Sequence, residues 1–364
     1  MDNFELLSFP DPVKRALRDL EFQKPTPIQA KAIPIALSRK DLIGCAQTGT
    51  GITAAFCLPI LLRLMESPGK IALILAPTRE LAQQIEVFWR QLTRFTPGVH
   101  SVCLTGGVPI YAQLQRLSRH PRLLIATPGR LTDHLHRKTV NLSKTEILVL
   151  DEADRMLDMG FAPQIAQILR FVPSERQTLF FSATWPREVE QLSKRYLREP
   201  VRVTVGNFSQ PISAIQQTTI RTTSPQKREA LLKELNQRQG AILVFARTKA
   251  RTDQLARYLS SSGIGVNWIH GGRTQGQRNS ALSGFRSGKA RVLVATDIAA
   301  RGIDVADIAH VINYDLPQSA DDYIHRIGRT GRAGACGNAI SFVTPEDRRQ
   351  WDLISRVLNR NRSN

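Results

Sequence analysis

The stretch IALILAPTRELAQQI, residues 71–85, changes its period in the middle. Residues 71–76 form a short, wholly apolar run of the kind that makes a buried strand. Pro77 and Thr78 interrupt it. From Arg79 onward, Leu81, Ala82 and Ile85 recur three or four apart, which places them on one face of a helix. A strand that turns directly into a helix is half of a strand–helix–strand unit, and repeated units of that kind build parallel sheets.

The rhythm recurs in LLIAT (123–127), EILVLD (146–151) and TLFFSAT (178–184). It fades in PVRVTVGNFSQPISAIQQ (200–217), where Gly206, Ser209, Pro211 and Ser213 accumulate. It resumes in AILVFA (241–246), VNWIH (266–270), RVLVATD (291–297) and HVINYD (310–315). The chain therefore reads as two similar α/β domains, each a mainly parallel sheet flanked by helices. The expected boundaries are 1–205 and 217–364, with 206–216 as linker. At 364 residues, each half is long enough to bury its own core. Ligands of such sheets sit beyond the carboxyl ends of the strands, so functional residues are sought there.

Fifty Lys plus Arg against 31 Asp plus Glu give a net charge of +19. A field of that sign attracts polyanions, nucleic acid first among them, although a merely basic protein would show it too. The basic residues are scattered, with only short clusters such as Arg137-Lys138 and Arg348-Arg349, which favours a charged groove over a basic arm. Cys45, Cys57, Cys103 and Cys336 lack paired metal-ligand spacing, and three lie in or beside apolar runs as expected buried thiols. The opening MDNFELLSFPDP lacks the charged and apolar regions of a signal peptide, and every apolar run is too short to cross a bilayer. A soluble, cytoplasmic protein is expected. Without heptads or long apolar faces, a monomer is expected as well.

In AQTGTGIT, residues 46–53, Gly49 and Gly51 free the backbone to turn several N–H groups toward one anion. The helix expected from about Thr53 adds its positive end, and the Thr53 hydroxyl suits Mg²⁺. The same letters also fit a Gly-Thr turn before a buried helix, and Ile52 stands where a phosphate loop carries lysine. About a hundred residues later, Asp151 and Glu152 close an apolar strand. There, a carboxylate can hold Mg²⁺ and an acid can take a proton from attacking water.

DEAD (151–154), SAT (182–184), PTREL (77–81), TPGR (127–130) and HRIGRTGR (325–332) together resemble the DEAD-box RNA helicases, almost end to end from about residue 4 to 345. FQKPTPIQ (22–29) resembles the family's Q motif, with Phe4 upstream. Gly106-Gly107, Phe245-Ala-Arg247, Gln275 with Arg278, and ATDIAARGID (295–304) follow in family order. The resemblance implies two RecA-like domains that use ATP and Mg²⁺ on RNA. Gln29 would bond the adenine edge, with Phe22 stacked on the ring. Ala46, Gln47, Thr48, Gly49, Thr50, Gly51, Ile52 and Thr53 would surround the phosphates, and Asp304 would sit near the ribose. Asp151 and Thr53 would hold the metal, and Glu152 would activate water. Arg329 and Arg332 would reach the γ-phosphate, and His325 would help link the halves. Asp154, Ser182 and Thr184 would couple nucleotide state to closure.

By the same resemblance, Thr78, Arg79, Gly106, Thr127, Gly129 and Arg130 would line an RNA track in the first domain. Arg247, Gln275, Arg278 and Thr296 would continue it in the second, reading backbone shape rather than sequence. Two smaller departures are Glu21, where the family usually has glycine, and Gly272, where it usually has aspartate. Trp185 is expected to pack. After FVTPED (342–347) only a short basic helical end is expected, with no specificity domain, so recruitment would need a partner or specificity would be low.

Ile52 leaves three alternatives: a disabled helicase, a weak ATPase working through the other groups, or a lysine supplied from elsewhere. No relocated lysine is visible, and every other catalytic motif is intact. That pattern points to a single recent or deliberate change rather than long decay. Two rival functions remain, a non-hydrolysing RNA-binding or annealing module and a DNA-directed helicase.

Overall fold

The computed structural model describes residue 4 and residues 9–46, 49–205, 215–300, 308–331 and 337–360. The chain divides into two units, residues 1–206 and 207–364. The first carries strands β1 (Leu42–Cys45), β2 (Ile71–Leu75), β3 (Ser101–Leu104), β4 (Leu123–Ala126), β5 (Thr145–Leu150), β6 (Gln177–Ser182) and β7 (Val201–Thr204). Its helices are α1 (Asp11–Asp19), α2 (Pro27–Leu37), α3 (Ile52–Glu66), α4 (Arg79–Leu92), α5 (Ile110–Leu117), α6 (Pro128–His136), α7 (Ala153–Asp158), α8 (Ala162–Leu169) and α9 (Arg187–Tyr196).

The second unit carries β8 (Ile215–Arg221), β9 (Ala241–Phe245), β10 (Val266–Ile269), β11 (Val292–Ala295), β12 (Ile308–Asn313) and β13 (Gly337–Val343). Between and after these run α10 (Lys227–Gln237), α11 (Lys249–Ser261), α12 (Gln275–Arg286), α13 (Asp297–Ala300), α14 (Ala320–Ile327) and α15 (Arg348–Arg360).

All strand pairs are parallel. The sheet orders are β3-β4-β2-β5-β6-β1-β7 and β10-β11-β9-β12-β13-β8. Counted from the first strand of each unit, both read 3-4-2-5-6-1, with a seventh strand added in the first. The repeated strand–helix rhythm thus reflects one topology used twice. Parallel strands need crossover helices on both faces, which is why they are nearly continuous apolar runs instead of alternating ones. The two faces of the first sheet hold separate apolar cores. One is closed by α3 and α4 through Phe56, Leu58 and Trp89, and the other by α6 and α8 through Leu131 and Ile165.

The last two residues of the expected linker belong to a strand. Ile215 and Gln216 pair with Gly337 and Asn338 and open β8. This is an edge strand with the sequence IQQTTIR, whose polar outer positions hide it among the preceding Pro and Ser residues. The rest of that segment lies outside the described residues. Cys45, Cys57 and Cys103 are buried, and burial pushes the Cys103 thiol up to about 12; Cys336 lies outside the described residues. Trp185 packs edge-on against Phe180, with the Arg202 guanidinium 4.5 Å from its ring centre. The basic end forms α15, which docks through Trp351, Ile354 and Leu358. No helix among the described residues is long and apolar enough to cross a membrane.

Candidate nucleotide and RNA site

The sheet order separates the candidate residues. The AQTGTGIT loop follows β1, the Asp151-Glu152 pair follows β5, and Ser182–Thr184 end β6, on three adjacent strands of the first sheet. Thr78-Arg79, Gly106 and Thr127–Arg130 follow β2, β3 and β4, the three strands on the other side. One carboxyl edge is thereby divided into two neighbouring sectors.

In the phosphate-loop sector, Gly49 and Gly51 adopt φ of 86° and 92°. Gly51 is the left-handed N-cap of α3, and a Cβ there would collide with the Gln29 amide. Gln29 is 2% exposed, takes a bond from the Thr26 N–H at 2.8 Å, and donates Nε2 to the Gly51 carbonyl at 3.1 Å. The residue expected to meet adenine is therefore also the brace of the loop. Phe22 is half-buried, between Phe4 at 5.7 Å and Phe88 at 6.0 Å between ring centres. Ala46 is buried and donates its N–H to the Ser182 carbonyl. Thr50 and Thr53 are half-buried, Thr53 as the second residue of α3. Ile52, the first, packs against the core beneath α3. Gln47 and Thr48 lie outside the described residues.

Asp151 is 4% exposed. Burial pushes its carboxyl well above the ordinary range, and the charge of Glu152 pushes it the same way. A buried carboxylate beside other carboxylates calls for a cation, and oxygen donors suit hard Mg²⁺. Among the described residues no cluster of three His, Cys, Asp or Glu is placed to hold a metal. The protein would supply Asp151 and the Thr53 hydroxyl, and phosphate and water the remaining ligands. Glu152 stands in the left-handed region at φ 51°, as the N-cap of α7. A side-chain-bearing residue held there stores strain, a condition common at functional positions. Glu21 shares that geometry at φ 56°, which explains why glycine would fit its position better.

Asp154 is the hub of the β5–β6 contact. Its Oδ2 accepts from the Thr184 N–H at 2.8 Å and Oγ1 at 2.7 Å, while its own N–H donates to Ser182 Oγ at 3.3 Å. Thr184→Val keeps the shape and removes one donor to a buried carboxylate, so the first unit should lose about 1.5–3 kcal/mol. Denaturant titration of both proteins checks this; an unchanged midpoint would remove Asp154 as the hub.

In the RNA-track sector, Thr78 caps α4 by accepting from the Leu81 N–H at 3.2 Å. The Arg79 guanidinium lies against Gly106 and Gly107, where a Cβ at either would crowd it. Arg130 donates to the Val108 carbonyl at 3.1 Å, and a Cβ on Gly129 would meet nothing. Thr127, 8% exposed, is the N-cap of α6. Three backbone turns and two arginines thus meet at helix N-termini, a surface suited to phosphates.

Sequence reasoning missed the support behind this sector. Buried Gln113 donates to the Thr105 carbonyl at 2.9 Å and the Val108 carbonyl at 3.2 Å, which leaves its own oxygen to accept from His134 Nε2 at 3.0 Å. His134 is fully buried, and burial holds its pKa below the usual histidine value. No sequence pattern announces this pair, because it joins α5 and α6 with the strand β4 between them in the chain.

The second sheet repeats the division. Arg247, Gln275 with Arg278, and Thr296 follow β9, β10 and β11, which are adjacent, while His325 and Arg329 follow β12. Gln275, Arg278 and Thr296 are 7%, 7% and 8% exposed. The Arg247 N–H is held by Asp315 Oδ2 at 3.0 Å, and Asp315 in turn pairs with buried Lys227 at 3.3 Å. Arg326 was also missed. It is 3% exposed and grips Asp297 with both arms at 2.6 and 2.7 Å. Asp304 and Arg332 lie outside the described residues.

The family model for DEAD/DEAH box helicases matches residues 26–192, and that for the helicase conserved C-terminal domain matches residues 226–334. The chain belongs to the DEAD-box RNA helicase family. It is 47% identical to "ATP-dependent RNA helicase DBP2" of Candida albicans over 98% of its own length and 65% of that protein's. It is 46% identical to "DEAD-box ATP-dependent RNA helicase 30" of Arabidopsis thaliana, over 98% of this chain and 62% of that one. It thus spans slightly less than two thirds of these two relatives. Among solved structures, S. cerevisiae Dbp5 bound to RNA and ADP BeF3 superposes with a TM-score of 0.88 at 32% identity, covering 99% of this chain and 93% of that one.

Proposed function

We propose that this DEAD-box chain is an RNA-dependent ATPase that locally unwinds or remodels RNA duplexes, with hydrolysis slowed by Ile52. The observation that carries the proposal is the division of one sheet edge into a glycine-loop and carboxylate sector beside a sector of helix N-termini and arginines. ATP would lie on the AQTGTGIT loop, with Gln29 and Phe22 at the base. Mg²⁺, when bound by Asp151 and Thr53, would neutralise phosphate charge as it shifts. Glu152 would take the proton from attacking water, and Arg329 and Arg332 would stabilise the γ-phosphate. Asp154, Ser182 and Thr184 would relay nucleotide state. RNA phosphates would bind along Thr78, Arg79, Gly106, Thr127, Gly129 and Arg130, then Arg247, Gln275, Arg278 and Thr296.

The second reading is a non-hydrolysing RNA-binding or annealing module. Ile52 favours it, because an aliphatic side chain packed on the core brings no donor to the phosphates. The deciding experiment is phosphate release from this chain and from Ile52→Lys, with RNA and DNA of one sequence as stimulants. Stimulation by RNA alone supports the helicase reading through the 2′-hydroxyl; equal stimulation by DNA would refute it. A soluble cytoplasmic monomer is the accompanying proposal, since no heptad pattern joins copies. A concentration-dependent rise in mass by light scattering would count against the monomer.

A further inference from the structure

A second basic feature lies on the first unit at the opposite end of β3 and β4 from the RNA-track turns. There the end of α4, the loop that follows it, the start of β3 and the end of α5 enclose a groove of about 850 Å³. Arg90, Arg94, Arg116 and Arg119 line it. Its one carboxylate, Glu86, is buried and already held by Arg90 at 2.8 Å and Arg116 at 3.6 Å. Arg119 is exposed, and Thr96 in the wall has a buried hydroxyl with no hydrogen-bond partner. Trp89 forms an apolar floor, pinned by its indole N–H to the Val99 carbonyl at 3.1 Å.

The charge is concentrated by sequence. From Val87 to Thr132 there is no aspartate or glutamate, while Arg90, Arg94, Arg116, Arg119, Arg122 and Arg130 fall in that span. Arg122 is structural, since it caps the end of α3 by donating to the Leu64 and Ser67 carbonyls. The others face ligand-accessible surface at the groove or the track.

Helix α5 joins the two places. It begins just after the Gly106-Gly107 turn and ends at the groove, eight residues or about 12 Å later. Its solvent side spans Tyr111, 81% exposed, at the track end and Arg116 at the groove end, five residues on and about 140° around the helix. An exposed aromatic ring on the same helix that leads to an arginine groove supplies both parts of a single-strand site, a ring for bases to stack on and cations for phosphates.

We propose that single-stranded RNA leaving the track at Gly106-Gly107 continues along α5, stacks a base on Tyr111 and lays its phosphates in the arginine groove. The proposal rests on the RNA-track reading above. It would give the chain an extended RNA footprint on its first unit, which lengthens the strand it holds without adding base specificity.

The test compares RNA of about 6 and about 16 nucleotides, binding the full chain in the presence of a non-hydrolysable ATP analogue at several salt concentrations. In the double variant Arg116→Gln with Arg119→Gln, the longer RNA should bind about tenfold more weakly while the shorter is unaffected. The salt slope for the longer RNA should fall by about 1.4, the value for two lost single-strand phosphate contacts. Tyr111→Ala should weaken only the longer RNA, by about fivefold. Unchanged binding of the longer RNA would overturn the proposal, as would equal weakening of both lengths. Arg130→Ala separates the underlying reading: it should weaken both lengths, and binding unaffected by it would dismiss the track and not the groove.

Discussion

Ile52→Lys should raise RNA-stimulated ATP hydrolysis by about 10²–10³, the equivalent of about 2.7–4 kcal/mol of transition-state stabilisation. Ile52 is the first residue of α3, directly after the left-handed Gly51 that turns the loop into the helix. A side chain there starts at the helix's positive end, where backbone N–H groups converge. The isoleucine instead lies half-buried against the apolar core under α3. A lysine can cover the same surface with its methylene stem and still carry its ammonium into solvent toward the β- and γ-phosphates. Its charge acts most strongly as negative charge moves during phosphoryl transfer, so the rate should change more than ATP affinity. Steady-state phosphate release beside equilibrium nucleotide binding checks both. Comparable rates for the two proteins would mean that another group fills the role, and the phosphate-site account would be wrong.

Arg326→Ala should destabilise the second unit by about 3–5 kcal/mol, which removes a charge from a buried, fully bonded position. The Arg326 guanidinium joins four groups. Besides the fork onto Asp297, its Nη1 donates to Asn313 Oδ1 at 3.0 Å and to the Asp315 carbonyl at 2.6 Å, and its plane lies 4.8 Å from the Phe245 ring centre. Asn313 ends β12, Asp315 follows it and Phe245 ends β9, so one side chain ties α13 and α14 to two strand ends. Truncation leaves the buried Asn313 amide oxygen and Asp315 carbonyl without this donor, and the half-buried Asp297 carboxylate without its fork. Thermal unfolding of the full chain should show a transition lowered by roughly 10 °C. A shift of only a degree or two would show that water replaces the guanidinium, and the site would be less buried than its geometry states. Arg326→Lys should recover little, because an ammonium cannot make the fork.

Much of the architecture was legible because parallel strands buried on both faces must be short apolar runs. IALIL, ILVL and AILVF could be little else between helical patterns. The strands that escaped notice are those whose letters obey a weaker rule. IQQTTIR at one edge is half polar, LIGC, SVCL and VRVT are four residues long, and GNAISFV opens on Gly-Asn and breaks its apolar run with Ser341. Individual site residues were legible through family wording, and their physical sense could be argued one position at a time. Asp154, Ser182 and Thr184 are separated by about thirty residues yet meet within hydrogen-bond distance, as strand ends on neighbouring strands must.

By itself the sequence determined the two α/β units, their parallel sheets, the basic character and the family, since each follows from local period, composition or motif order. It also exposed Ile52, a single letter out of place. Only the tertiary structure decided how strand order divides one sheet edge between a glycine-loop sector and an RNA-track sector. It also decided that Gln29 braces the loop it was expected to serve, that His134 meets Gln113 from 21 residues away, and that Arg326 reaches Asp297 across 29 residues. These depend on which strands lie side by side and which polar groups lose water together, and neither can be read from a chain whose neighbours in space are not yet known.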